Sequence, residues 1–199
     1  MSGRRRRRRI GGWGINAGLR VVIVAFAVEA AMAGADPRFE GKGIVVRNLV
    51  FVGTALTLAF PLAHALRRHP RAAYPLLADT MFLSILAVDM AANSLDLYSL
   101  PWRFDLIPHT YGPMAGFATL RVLGMAAVPG AILVNAAHVL FEVQEALGDA
   151  LFETHNVRGW WDTIGDLTAG LIGSVAVPWL FVRARSIRAV ARRRQPAAA

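Results

Sequence analysis

Five polar residues recur at helical spacing inside an apolar stretch of the chain. They are Asn135, His138, Glu142, Glu145 and Asp149. In an α-helix, which turns about 100° per residue, these side chains fall within an arc of about 80°. The residues between them, notably 131–134 and 139–141, are apolar. The pattern predicts a helix that ends near Phe152 and carries one polar face, here called the striped face, which other polar groups of the protein must cover.

Other long apolar stretches predict further membrane-spanning helices. They cover residues 18–35, 48–66, 75–98 and 162–182, together with a stretch that opens at Asp105. We expect that stretch to end in a turn at 128–130, because a helix that stopped at Arg121 would have only about 15 residues, or ~22 Å. The hydrocarbon core is ~30 Å thick, so Arg121 would instead extend towards the headgroups from within the helix. The sequence thus predicts an all-α, polytopic transmembrane helix bundle of about six spans.

The composition indicates a membrane protein with one domain. Of the 199 residues, 55% are hydrophobic and the mean hydropathy is +0.43, whereas a soluble domain of this length would expose more charge. We expect a transmembrane helical domain at 18–182 between two basic cytoplasmic tails, 1–17 and 183–199, the first of them disordered. The first apolar stretch also has features of a cleavable signal sequence, but Glu29 within it favours an uncleaved span.

Positive charge is concentrated beside the apolar stretches. With six spans, 17 of the Lys and Arg residues lie on the side of the termini and five on the other side. The positive-inside rule then places both termini in the cytoplasm. The basic tails would face anionic lipid headgroups, so we expect membrane lipids rather than nucleic acid as partners, despite a net charge of +9. Cysteine is absent, which excludes disulfides and thiolate metal sites.

Acidic residues and histidines collect near the outer ends of four predicted spans. Outside the striped face they are Asp89 and Asp96 on the third span, Asp105 and His109 on the fourth, and Asp162 and Asp166 on the sixth. Asp89 and Asp96 form a polar stripe with Asn93. An isolated charge in the membrane costs about 2.5–3.5 kcal/mol, so these carboxylates need protons, basic partners or a cation. Two histidines with carboxylates suit Zn²⁺, Mn²⁺ or Fe²⁺, whereas carboxylates alone suit Mg²⁺ or Ca²⁺.

From this we predict one site for a divalent metal in the outer half of the bundle. The candidate metal ligands are His109, His138, Asp162 and Asp166. Glu142 would converge with them and act as base on bound water, and Asp89 would orient a ligand histidine. A structural interpretation stays open, since the same groups could hydrogen-bond one helix to another and Asp162 could be only an N-cap.

Four motifs carry a resemblance to a known family. They are Asp89-x-x-x-Asn93-x-x-Asp96-x-Tyr98, Phe104-Asp105-x-x-x-His109, His138-x-x-x-Glu142-x-x-Glu145 and Trp161-Asp162-x-x-x-Asp166 with Gly173. Together they resemble the YjdF-like family of bacterial inner-membrane proteins, which is distantly similar to VanZ-like proteins. Leu106 and Ala169 depart from the VanZ-like pattern, which has Lys and Asn there. The resemblance implies a multi-pass protein of the bacterial plasma membrane with an outward polar site, and VanZ-like proteins are linked to the cell envelope and glycopeptide susceptibility.

Three functions are compatible with these features. As an enzyme, the protein would be a metal-assisted hydrolase or transferase on a lipid-linked cell-envelope substrate. As a scaffold, it would be an envelope-stress or antibiotic-susceptibility protein whose buried polar cluster is structural. As a proton- or cation-coupled transporter, it would also need polar groups in the cytoplasmic half, where Glu29, Asp79 and Asn135 form a thin pathway.

Overall fold

The structure, a computed structural model, describes residues 3–44, 47, 52–53, 56–66, 73–100, 104–176 and 178–179, with side chains from residue 12 onwards. The α-helices in these ranges are α1 (Gly3–Met32), α2 (Thr57–Ala65), α3 (Leu76–Ser94), α4 (Leu106–Val122), α5 (Ala127–Phe152) and α6 (Trp160–Leu171). Short 3₁₀ turns at Pro37–Phe39 and Leu97–Ser99 and a π-helical turn at Ile172–Ala176 are also present. No strand occurs in the described ranges, so the all-α prediction is confirmed.

Three helices are long and apolar enough to cross a membrane. They are Gly12–Met32 within α1, Leu76–Ser94 and Ala127–Phe152. Helix α4, with 17 residues, and α6, with 12, are shorter. The predicted second span, 48–66, lies partly outside the described residues, and α2 covers only its last part. The three long helices support a membrane protein, while the number of six spans stays a prediction.

Helix α5 has the two faces that its sequence predicts. His138 and Glu142 on the striped face are buried. Ile132, Leu140 and Leu147, on the opposite side of the helix, are exposed. Exposed apolar side chains of this kind suit contact with lipid. The predicted striped helix and its end at Phe152 are therefore confirmed.

Three connecting segments meet at one end of the bundle, here called the polar end. They follow α1, α3 and α5 in the chain. Arg38 donates a hydrogen bond to the backbone carbonyl of Ser94, and Arg158 donates to that of Tyr98 at 2.7 Å. The backbone N–H of His155 donates to the Gly41 carbonyl at 2.7 Å. Because every second connection lies at this end, successive helices run in opposite directions.

The turn between α4 and α5 lies earlier than predicted. Helix α4 ends at Val122, and the chain reverses through Gly124, whose φ is +93°. Arg121 is in the last turn of α4 and donates to the carbonyl of Met125. Pro129 lies in the first turn of α5. Backbone N–H groups in the first turn have no intrahelical acceptor, so proline, which lacks an N–H, costs no hydrogen bond there. The predicted turn at 128–130 and the predicted position of Arg121 are wrong, because the length argument required every helix to cross the whole hydrocarbon core.

The starts of α1 and α6 also differ from the predictions. Helix α1 begins at Gly3, so residues 3–17 are helical rather than disordered, which fits the high helix propensity of arginine. The C-terminal tail, 183–199, lies outside the described residues. Helix α6 begins at Trp160 with Gly159 as its N-cap, so Asp162 is not the N-cap. Asp162 Oδ2 instead accepts the Arg158 backbone N–H at 3.1 Å.

Helix α1 packs against α3 through an apolar interface with a polar cluster near its start. Ile23 and Ala27 lie with Leu83 and Met90 in one buried group. Closer to the start of both helices, the fully buried Asp79 accepts hydrogen bonds from Asn16, Arg20 and Tyr74. These contacts make α1 an integral part of the described bundle.

Candidate metal centre

The imidazoles of His109 and His138 and the carboxylate of Glu142 meet between α4 and α5. His109 Nδ1 lies 3.0 Å from His138 Nε2 and 3.3 Å from Glu142 Oε1. The third distance, from His138 Nε2 to Glu142 Oε1, is 3.5 Å. One ligand atom from each residue therefore forms a nearly equilateral triangle, and we call the three residues the His–Glu triad.

The edges of this triangle match those of a metal site. Three ligand atoms bonded to zinc at 2.0–2.1 Å in tetrahedral directions lie about 3.3–3.4 Å apart. The observed edges, from 3.0 to 3.5 Å, bracket that separation. A divalent cation could therefore contact all three atoms after small rotamer changes. The structure thus brings together three of the five residues that were predicted to converge.

The triad is shielded from solvent. The exposed fraction of the side chain is 13% for His109, 8% for His138 and 5% for Glu142. Within the described part of the chain, Glu142 Oε1 accepts no hydrogen bond of good geometry, although two imidazole nitrogens lie within 3.5 Å of it. A buried carboxylate oxygen is costly in such a position unless it shares a proton or a cation with its neighbours.

Local sequence explains how the triad forms. His138 and Glu142 are four residues apart on α5, so their side chains project from the same face. Gly170 of α6 lies against the ring of His138 and leaves it the space that a larger residue would fill. Gly173, in the π-helical turn that follows α6, lies equally close to α4, since a Cβ there would lie 2.0 Å from the Thr110 carbonyl oxygen. Two glycines therefore let this part of the chain lie close against both helices of the triad.

Asp166 and Asp162 lie in a neighbouring group rather than in the triad. With Asp105 they form a carboxylate group in which one oxygen from each residue lies within 4.8 Å of the others. Asp105 precedes α4, and the other two lie one turn apart on α6. Asp166 still interacts electrostatically with His109 and Glu142. The prediction of one shared site is thus replaced by two adjacent groups, each able to hold a cation.

Asp89 does not contact a triad histidine in the described structure. Its Oδ2 forms an ion pair with Arg47 at 2.6 Å, and its Oδ1 accepts the hydroxyl of Tyr98 at 2.9 Å. Arg47 also approaches Glu145 of the striped face at 3.9 Å. Burial, reinforced by Asp89, raises the pKa of the Tyr98 hydroxyl well above its ordinary value, which keeps this group a neutral donor. Asp89 therefore positions Arg47, and the expected contact between Asp89 and a ligand histidine is wrong.

Sequence reasoning missed Arg47 as a site residue. It was counted only as a charge beside an apolar stretch, although its guanidinium joins α3 to α5 through two carboxylates. The available signal was its position directly before the second apolar run, facing the acidic ends of neighbouring helices.

A cavity of about 490 Å³ lies beside the triad. His109 and His138 line it, as do Glu145 and Asp166, whereas Glu142 is not among its described lining residues. A cation held by the triad would therefore have one side turned to the cavity. Catalytic metal sites differ from structural ones in keeping such an open position.

The fold and these groups define a class: an all-helical, membrane-type bundle with a buried histidine–carboxylate centre beside a cavity. Comparisons of the chain with protein-family models, with curated proteins and with solved structures give no match. The resemblance to YjdF-like and VanZ-like proteins therefore stays a prediction.

Proposed function

We propose that the protein is a metal-dependent membrane enzyme, a hydrolase or transferase that acts on a lipid-linked cell-envelope substrate. The observation that carries the proposal is the triangle of His109 Nδ1, His138 Nε2 and Glu142 Oε1, with edges of 3.0, 3.3 and 3.5 Å, at the wall of a cavity. Two imidazoles and one carboxylate are the ligand set of several catalytic zinc sites, and the same ligands suit Mn²⁺ or Fe²⁺.

The metal would supply Lewis acidity and activate a water molecule by lowering its pKa. In this proposal Glu142 is a metal ligand rather than the general base, because its carboxylate oxygen is directed at both imidazoles. Asp166 is the better proton acceptor, because it lines the cavity and interacts with His109 and Glu142 without belonging to the triad. Hydrolysis would add the water oxygen to an acyl or phosphoryl group and break the bond to the leaving oxygen. Asp166 would accept the water proton and return it to that oxygen.

The neighbouring polar groups would support this site. Arg47, held by Asp89, fixes the carboxylate of Glu145 at the cavity wall. Asp162, whose side chain accepts the Arg158 N–H, holds the start of α6 and so the position of Asp166 one turn later. Loss of a contact that holds a metal ligand or its neighbour in position typically lowers metal affinity or activity by 10–100-fold.

We place the site on the outward side of a bacterial plasma membrane, with six spans and both termini in the cytoplasm. The support is the excess of basic residues, 17 against five, on the side of the termini, together with the alternating helix directions and the three apolar helices. The basic tails would then lie against anionic headgroups.

A structural role for the triad is the second candidate, because the 3.0 Å separation of the two imidazole nitrogens is also a hydrogen-bond distance. A coupled transporter has less support. Asp79 already accepts three hydrogen bonds, Glu29 pairs with Arg38 at 2.9 Å, and Asn135 donates to Ser174 at 2.8 Å. The three polar groups of the thin pathway are thus engaged in contacts within the bundle.

Metal binding separates the enzyme from the scaffold. The full chain, purified with an affinity tag free of histidine, is analysed by elemental mass spectrometry and titrated with Zn²⁺ by calorimetry. We expect about one ion per chain, loss of the ion in Glu142→Gln and His138→Gln, and its retention in Asp166→Asn. His64→Gln is the matched control, because His64 packs against Tyr74 away from the triad.

An unchanged metal content in Glu142→Gln and His138→Gln would exclude the triad as the metal site. A protein that binds no divalent metal, and that loses thermal stability when His138 is replaced, would have a structural triad. If Asp166→Asn also lost the ion, Asp166 would be a ligand and not the proton acceptor.

A further inference from the structure

The cavity beside the triad is a deep slot rather than a pocket of the size of an ion. Its lining covers residues 82–93 on α3, 105–116 on α4 and 134–145 on α5. Each helix contributes about 11 residue steps, or ~16 Å at 1.5 Å per residue. Three walls of equal length describe a slot ~16 Å deep, about half of the ~30 Å hydrocarbon core.

The deeper part of the slot is apolar. Its described lining residues include Phe82, Ile85, Leu86, Gly112, Gly116 and Val134. Tyr111 also lines it, but its hydroxyl is engaged with that of Ser84 at 2.7 Å. Gly116 keeps the slot open, since a Cβ there would meet only Val134, at 3.7 Å. Such an apolar wall favours a hydrocarbon chain as ligand, because binding removes apolar surface of both from water.

Basic residues lie at the polar end of the slot, among carboxylates that also line it. Lys42 and Arg158 both line it there. Arg158 is exposed, and its guanidinium donates to the Tyr98 carbonyl, a neutral acceptor, at 2.7 Å. Lys42 forms a long, partly exposed ion pair with Asp96 at 3.4 Å, which is a weak kind of pair. Both charges can therefore bind an anionic group that enters the mouth.

The volume of the slot suits an alkyl chain. About 490 Å³ over a depth of ~16 Å gives a mean cross-section of about 30 Å². That is wide enough for one hydrocarbon chain.

We propose that the slot binds an amphiphile with a single alkyl or acyl chain and a phosphate-bearing head. The chain would lie between α3, α4 and α5, and the phosphate would lie between Lys42 and Arg158, beside the His–Glu triad. The inference rests on the proposed function, for which it names the substrate class.

Dodecyl phosphate is the first probe. Its binding to the full chain in phosphatidylcholine nanodiscs is measured by calorimetry, with empty nanodiscs to subtract partitioning into lipid. We expect saturable binding of dodecyl phosphate. Dodecanol should bind at least about tenfold more weakly, because it cannot form the charge-assisted hydrogen bonds. Inorganic phosphate should also bind at least about tenfold more weakly, because it lacks the apolar chain. Lys42→Gln with Arg158→Gln should weaken dodecyl phosphate by a similar factor and leave dodecanol unchanged. Arg121→Gln, at the other end of the bundle, is the matched charge control.

A larger side chain in the apolar part of the slot tests whether the alkyl chain binds there. Gly116→Leu should abolish dodecyl phosphate binding, whereas Gly18→Leu, at a helical glycine with nothing within 4 Å of its Cβ position, should not. Should Gly116→Leu fail to fold, the wild-type chain still decides: affinity should rise from octyl to dodecyl phosphate.

Equal affinity for inorganic phosphate and dodecyl phosphate would overturn the proposal, as would equal affinity of all variants. Zn²⁺ titration of the same samples separates the two hypotheses. Zinc binding without dodecyl phosphate binding removes the substrate class and leaves the metal centre. The reverse result removes the metal-dependent function and leaves a lipid-binding slot.

Discussion

Gly170 lies so close to His138 that a Cβ atom on residue 170 would be 2.0 Å from the ring Nδ1. No real side chain tolerates such a distance, so any larger residue must displace either the imidazole or α6. The backbone of α6 thereby fixes the orientation of an imidazole whose other nitrogen belongs to the triad.

Gly170→Ala should therefore weaken zinc binding by about 10–100-fold, the effect expected when a contact that positions a ligand is lost. Zinc calorimetry on the purified chain measures it. Gly18→Ala is the matched control, because its Cβ meets open space and alanine favours a helix by up to about 1 kcal/mol. Unchanged zinc affinity in Gly170→Ala would show that the ring position does not determine binding.

The ion pair of Arg20 with Asp79 should be a major stabilising contact of α1. Its N–O distance is 2.6 Å, and only 1% of the Asp79 side chain is exposed. Arg20→Ala leaves that carboxylate buried without its cation, which typically costs about 3–5 kcal/mol. Thermal unfolding in detergent should show a clear fall in midpoint. The control is Lys42→Ala: its pair with Asp96, at 3.4 Å and partly exposed, is of a kind worth about 0–1 kcal/mol. Equal effects of the two variants would contradict the packing of α1 on α3.

Two glycines discriminate between the observed and the predicted turn. Gly124 has φ +93°, so Gly124→Ala should lower stability by about 1 kcal/mol through backbone strain. Gly130 is inside α5, where a Cβ would make ordinary contacts at 3.6–3.9 Å, so Gly130→Ala should be neutral or stabilising. Denaturation in detergent compares them. The opposite order would restore the turn at 128–130.

Reporter insertions test the orientation in the membrane. Green fluorescent protein should fluoresce when it is inserted after Gly124, and alkaline phosphatase should be active when it is inserted after Thr154. The reason is that these positions are in connections at opposite ends of α5. Active phosphatase at Gly124 would place the His–Glu triad on the cytoplasmic side and contradict the proposed location.

The sequence predicted the features that depend on local periodicity. The striped face of α5, including its buried pair His138 and Glu142, follows from spacing within one helix. Its partner His109 followed from the need to pair polar groups in an apolar setting. The division between triad and carboxylate group could not be predicted, because it depends on how far α6 is displaced relative to α5. The pair of Arg47 with Asp89 joins residues 42 positions apart, and no helical period encodes such a contact.

The triad is divided between two consecutive helices joined by the short turn between Val122 and Ala127. In the proposed metal-dependent membrane enzyme, His109 would be inserted first, and the chain would hold a single ligand until residues 138 and 142 follow. One imidazole binds a divalent ion weakly, so a metal would bind only after α5 has paired with α4. Metal occupancy would then report the completion of this helical hairpin, and a chain stalled within α5 would carry no metal.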